Sequence, residues 1–136
     1  MEIREDKLRK IIKEGNAEEL NNYAEELGKI FKQPLVDRRG DREIKKGEAL
    51  STSQIRNILD EIQRISPRDK IENIKNKLHL LRPKLAYAAG RHKGRLKEFR
   101  EVVEKAITYI QNPIHFKNFR NFIEAIVAYH RYYGGE

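Results

Sequence analysis

Apolar residues in this chain recur at steps of three and four from one end to the other, and that period restricts the fold more than any other feature. Such steps place side chains on one face of an α-helix, whereas a half-buried strand needs alternation, and no sustained alternation is found. Ile3, Leu8, Ile11 and Ile12 predict a short helix ending near Gly15. Asn16 caps a second, with Glu19 as its capping-box partner and Leu20, Tyr23, Ala24, Leu27, Ile30 and Phe31 as its apolar face. Ser51 and Gln54 fit another capping box, with Leu50 and Ile55 as the staple around it, and Ile58, Leu59, Ile62 and Ile65 follow in register. Ser66-Pro67 ends that helix and opens the next, because proline suits the first helical position. Ile71, Ile74, Leu78, Leu81, Leu85 and Ala88 keep phase across Pro83; the phase predicts one kinked helix, although proline removes a backbone hydrogen bond. Leu96, Phe99, Val103, Ala106, Ile107 and Ile110 mark a further amphipathic helix, which Asn112-Pro113 ends.

The last segment, about Ile114–Tyr132, is apolar over a wide arc that includes Phe116, Phe119, Phe122, Ile123, Ile126, Val127, Tyr129 and Tyr133. Such an arc fits a central helix that touches several others. The expectation is an all-α protein, a compact bundle of five to six helices, with residues 1–136 forming a single helical domain. Residues 33–48, with Pro34, Gly40, Gly47 and mixed charges, read as a mobile linker between the N-terminal helices and the rest.

The core is thin and the surface heavily charged. Apolar residues make up 38% of the chain and charged residues 37%, against about 25% charged in an average globular protein. A chain of 136 residues buries a core without the disulfides or metals that chains below roughly 40 residues usually need. Cysteine is absent, which excludes disulfides, thiol catalysis and Cys-based zinc sites. No apolar run approaches the ~18 residues of a membrane span, and Met1–Lys10 does not resemble a secretory signal, so a cytoplasmic address is expected. Absent Cys and Trp, a single Met and abundant Lys and Glu fit a heat-adapted source.

The net charge is +8, and it is concentrated. Residues 82–100 hold seven basic residues and one acidic, net +6, while every other segment is near neutral. A focused patch of this kind attracts polyanions, of which phosphate backbones are the commonest.

Other chemistry is poorly supported. None of His79, His92, His115 and His130 forms an i, i+4 metal-ligand pair with another. The Arg followed four to six residues later by His that marks one class of helical-bundle nuclease is missing. His79 and His130 are expected to be packed or half-exposed within helices, and His115 to lie near the start of the last one. Asp60 and Glu61 diverge by about 100° on a helix and read as a solvated face. Gly90 and Gly94 bracket Arg91-His92-Lys93 without the Gly-Lys-Ser/Thr of a phosphate loop. What remains is Arg82, Lys84, Arg91, His92, Lys93, Arg95, Lys97 and Arg100, across a helix end, a turn and a helix start. Arg95 falls in a first helical turn, where free backbone N–H groups also favour anions. Tyr87 is expected to be half-buried with a solvated hydroxyl, the other reading being a stacking surface for a base. Arg56 either extends the patch or is plain surface.

Ser51-Thr52-Ser53-Gln54-Ile55-Arg56, Leu81-Arg82-Pro83-Lys84-Leu85-Ala86-Tyr87-Ala88-Ala89-Gly90-Arg91 and Phe119–Tyr129 resemble the small subunit of the type III-A CRISPR effector, the Csm complex. The similarity runs from about residue 50 to the C-terminus; residues 1–48 match only a generic helical N-terminus. The resemblance implies an all-helical subunit with no catalytic activity, no cofactor and no metal. Its partners would be guide RNA, target RNA and the other Csm subunits, with several copies head to tail and a homodimer in isolation as a further option. On this basis Arg56, Lys84 and Arg91 are expected to face RNA, and charge alone adds Arg82, His92, Lys93 and Arg95. Three rivals stay open: a helical DNA-binding module, a small metal-independent ribonuclease using His92 or His115, and a scaffold whose patch meets an acidic protein.

Overall fold

The computed structural model describes residues 1–91 and 94–136. Six helices lie among them: α1 (Glu5–Glu14), α2 (Ala17–Phe31), α3 (Thr52–Gln63), α4 (Ile71–Arg91), α5 (Arg95–Ile107) and α6 (Pro113–Tyr132). Two strands, β1 (Leu35–Arg39) and β2 (Arg42–Gly47), pair antiparallel. The fold is therefore mainly helical with a small two-stranded sheet, which corrects the all-α expectation.

The helix boundaries follow local chemistry. Gly15 closes α1 in the left-handed conformation, at φ +65°. Asn16 Oδ1 accepts from the Glu19 backbone N–H at 3.0 Å; the half of the box seen here is the Asn16 side. At α3 the box is complete: Ser51 Oγ accepts from Gln54 N–H at 3.1 Å, and Gln54 Oε1 accepts from Ser51 N–H at 3.0 Å. Pro67 does not open α4. Ser66 Oγ accepts from Arg68 N–H, Ser66 O from Asp69 N–H, and Asp69 Oδ1 from Lys70 N–H and Asn73 Nδ2. This turn delays the helix to Ile71. Pro83 lies inside α4, which continues past it to Arg91.

The buried core is one contiguous cluster, drawn from every helix. α6 lies at its centre, against α1, α2, α3 and α4, and buries Phe116, Phe119, Phe122, Ile123, Ile126 and Val127. It approaches α2 closely at Gly28, where a Cβ would lie 2.7 Å from the His130 backbone nitrogen.

Residues 33–48 carry the hairpin in place of an aperiodic linker. Gly40, at φ +65°, takes the first central position of a two-residue Gly40-Asp41 loop, as tight hairpin turns prefer. The excursion is tied at its root, where Leu50 N–H donates to Phe31 O at 2.9 Å. Glu48 also bridges to Gly94.

Candidate nucleic-acid interface

α4 presents a stripe to solvent. Leu80, Lys84, Tyr87 and Arg91 follow one another by steps of four, three and four, which keeps them on one side of a helix, and all four are exposed. The opposite line, Ile74, Leu78, Leu81, Leu85 and Ala89, is buried. Tyr87 is 71% exposed, so it is not the half-buried packing residue the sequence suggested; its position on the stripe falls between those of Lys84 and Arg91. Lys84 Nζ lies 3.3 Å from Glu61 Oε2 on α3, and Arg64 Nη1 donates to the other oxygen at 2.9 Å. Pairs this exposed contribute about 0–1 kcal/mol, so an incoming phosphate can replace Glu61. Among the described residues no ion pair holds Arg91 or Arg56.

The other sequence-selected cations are placed differently. Arg82 sits on the far side of α4, where its Nε donates to Glu104 Oε2 of α5 at 2.6 Å. Arg100 Nε approaches the second Glu104 oxygen at 3.7 Å. These residues line a cleft of about 580 Å³ together with Ile3, Leu78 and exposed His79. Arg56 is exposed on α3, but it lies about 140° around the helix axis from Glu61, at 100° per residue, so it does not join the α4 stripe directly. Lys97 is exposed on α5. His92 and Lys93 lie outside the described residues.

Arg95 turns inward. Its side chain is 14% exposed, Nη1 donates to Glu98 Oε1 at 2.5 Å, and Nε donates to the Gln33 carbonyl at 3.0 Å. Its backbone N–H donates to Glu48 O at 3.0 Å. The first-turn N–H expected to be free for an anion is thus used by the chain itself. Arg95 holds both ends of the hairpin root.

The remaining histidines have structural partners. His115 Nδ1 accepts from Gln111 N–H at 3.1 Å, and its backbone N–H is capped by Asn112 Oδ1 at 2.9 Å. Burial, then the nearby Lys13 charge, hold its pKa below the ordinary 6.5. His130 is fully buried, with Nε2 at 2.6 Å from Leu50 O. Burial pushes its pKa below 6.5 as well, the neighbouring Arg131 charge adding to the effect. Among the described residues no group of three or more His, Asp or Glu side chains is placed to hold a metal ion.

The sequence reading missed the hairpin as a second cluster of exposed cations, although residues 33–48 as a whole are near neutral. The hairpin carries Arg38, Arg39, Arg42, Lys45 and Lys46 against Asp37, Asp41 and Glu43, and most of these side chains are exposed. The signal was Gly40-Asp41 between Val36 and Ile44, a two-residue turn pair flanked by β-branched residues.

No helix of the described residues is long and apolar enough to cross a membrane. No curated protein and no solved structure matches the chain. The family model described as Csm2 Type III-A matches residues 14–136, from the end of α1 through the hairpin, the α4 stripe and the central helix. A match of that extent takes in nearly every element just described, and the chain belongs to the Csm2 Type III-A family, the small subunit of the type III-A CRISPR effector.

Proposed function

We propose that the chain is a non-catalytic structural subunit that holds guide and target RNA by the phosphate backbone, in a filament of several head-to-tail copies beside the other Csm subunits. It works as a single domain in the cytoplasm, without cofactor or metal. The observation that carries this reading is the exposed α4 stripe, where Lys84 and Arg91 flank Tyr87 within a family of effector subunits. Lysine and arginine on a surface give sequence-independent affinity for phosphates, which suits a subunit that must accept any guide. Tyr87 adds a face on which a base can stack. Arg56 contributes from α3, and His92 and Lys93, which follow Arg91 in sequence, add their charge. Arg82 and Arg95 contribute to the field from positions where Glu104 and Glu98 already engage them.

The test is a titration of a labelled single-stranded RNA of ~40 nucleotides, followed by anisotropy at several salt concentrations. Each phosphate neutralised adds about −0.7 to the slope of log affinity on log salt. Charge reversal of both α4 cations, Lys84→Glu with Arg91→Glu, is expected to weaken binding roughly tenfold or more and to flatten that slope. Circular dichroism should stay native. Unchanged binding in a folded double variant defeats the assignment. RNA recovered cut after the titration revives the ribonuclease, and effective competition by duplex DNA revives the DNA-binding module.

A further inference from the structure

The hairpin Leu35–Gly47 buries almost nothing. From Val36 to Lys46 every residue but Asp37 is exposed. An isolated two-stranded hairpin is marginal in water at best, and here only the root is tied to the body, through Glu48–Gly94, Arg95 and the Leu50–Phe31 bond. A ribbon of this kind is kept for what its surface does.

We propose that the hairpin is a second RNA contact, an arm that continues the phosphate track begun on α4; the proposal rests on the RNA reading above. Four observations point to it. First, its charge: five cations stand against three carboxylates on the ribbon and a fourth, Glu48, at its root, which holds Lys45 at 2.8 Å. Asp37 is engaged by Lys46 at 3.2 Å and by Arg39 at 3.7 Å, and Glu43 by Arg38 at 2.9 Å. Exposed pairs of this sort contribute about 0–1 kcal/mol, and phosphates can displace them. Among the described residues Arg42, beside the turn, is engaged by no carboxylate.

Second, the pairing register argues against a protein partner. Val36 stands opposite Lys45, and Ile44 opposite Asp37. Directly opposed residues share a face and neighbours alternate, so the two exposed apolar side chains fall on different faces and neither face is an apolar surface to cover. Third, both strand edges carry lysine or arginine, the device that blocks strand addition by another chain.

Fourth, the position. The root is held by Gly94 and Arg95, inside the basic segment, and Arg91 is three peptide steps from Gly94, at most about 11 Å along the chain. A six-residue strand adds about 20 Å of reach. A backbone lying on Lys84, Tyr87 and Arg91 is therefore within reach of the root of the arm.

The experiment uses the full chain and the same ~40-nucleotide RNA. Arg38→Ala, Arg39→Ala and Arg42→Ala are combined in one variant, and Arg42→Glu is made alone as a milder perturbation of the fold. The triple variant is expected to flatten the salt slope by up to about 2, at about 0.7 per lost contact, and to weaken binding roughly tenfold. Arg42→Glu should weaken it in the same direction. Both should keep native circular dichroism. If the hairpin variants bind like the parent while Lys84→Glu with Arg91→Glu does not, the arm is refuted and the α4 reading survives. If neither set changes binding, the RNA reading itself fails. If the hairpin variants lose binding to another Csm subunit and keep full RNA affinity, the arm is a protein contact and the proposal is overturned.

Discussion

The α4 stripe and the hairpin offer the same kind of side chain to solvent on very different supports. Lys84 and Arg91 stand on a helix whose other side buries Leu78, Leu81, Leu85 and Ala89. Their backbone positions are fixed by the core before any ligand arrives. Arg38, Arg39 and Arg42 stand on a ribbon with water on both faces and a single anchored end. In the proposed RNA complex, pre-organisation on α4 would lower the ordering cost of binding, whereas the hairpin would meet part of that cost on contact. Under the proposed RNA reading, the helix would set where the nucleic-acid backbone lies and the arm would follow it.

The sharpest way to break the comparison is to damage each support. Phe119, fully buried on α6, belongs to the core that backs the helix. Phe119→Ala should cost about 3–5 kcal/mol, seen as a large fall in the urea midpoint, with the α4 face and the hairpin failing together. A loss below about 1 kcal/mol would show that the core is not the common foundation assumed here.

Gly94 is the equivalent weak point for the arm. It adopts φ +133°, and a Cβ there would lie 2.3 Å from Glu48 O and 2.5 Å from Glu48 N. Backbone in such a region is strained for any other residue. Gly94→Ala is expected to cost about 1–3 kcal/mol. Amide hydrogen exchange should speed up across β1 and β2 and stay slow in α6. Uniform acceleration through the whole molecule would mean that the hairpin root and the core are one cooperative unit.

What the sequence revealed, and what it hid, divides along the same line. Wherever a face is buried, as at Ile55–Ile62 or Phe116–Val127, the apolar period marks the element and the Ser51–Gln54 box marks its start. The hairpin has no buried face, so its strands leave no alternation to read, and the charges at 37–46 mask the turn pair Gly40-Asp41. Pro67 misled for a local reason: the Ser66 and Asp69 side chains satisfy the backbone in a turn before the helix begins. Tyr87 was legible in principle, since its phase on α4 sets it apart from Leu85 and Ala89. Arg95 was not, because the carbonyl it holds belongs to Gln33, 62 residues away in sequence.

His130 offers the finest probe, because it lies under the point where the chain returns from the hairpin to the core. Its Nε2 meets Leu50 O, while Leu50 N–H reaches back to Phe31. Nδ1 is buried without a hydrogen-bond partner, and Gly135 packs so close that a Cβ there would lie 2.1 Å from the ring. The neutral imidazole, with Nε2–H donating to Leu50 O, fits this site; an imidazolium would carry a second N–H with no acceptor, next to the Arg131 charge. Because the folded pKa lies below 6.5, the unfolded chain binds more protons than the folded one as pH falls beneath that value. Stability from this group is therefore complete at pH 7 and above and declines through the acidic window under about 6.5. His115, whose pKa is also lowered, acts in the same direction, so the informative quantity is a difference between proteins. Melting temperatures measured from pH 8 to pH 5 should fall more steeply for the parent than for His130→Gln, whose side chain cannot take up a proton. Protection of the hairpin amides, corrected for the intrinsic pH dependence of exchange, should fall over the same range in the parent alone. Parallel melting curves for the two proteins would remove His130 from the support of the arm and leave Arg95 and Gly94 to hold it.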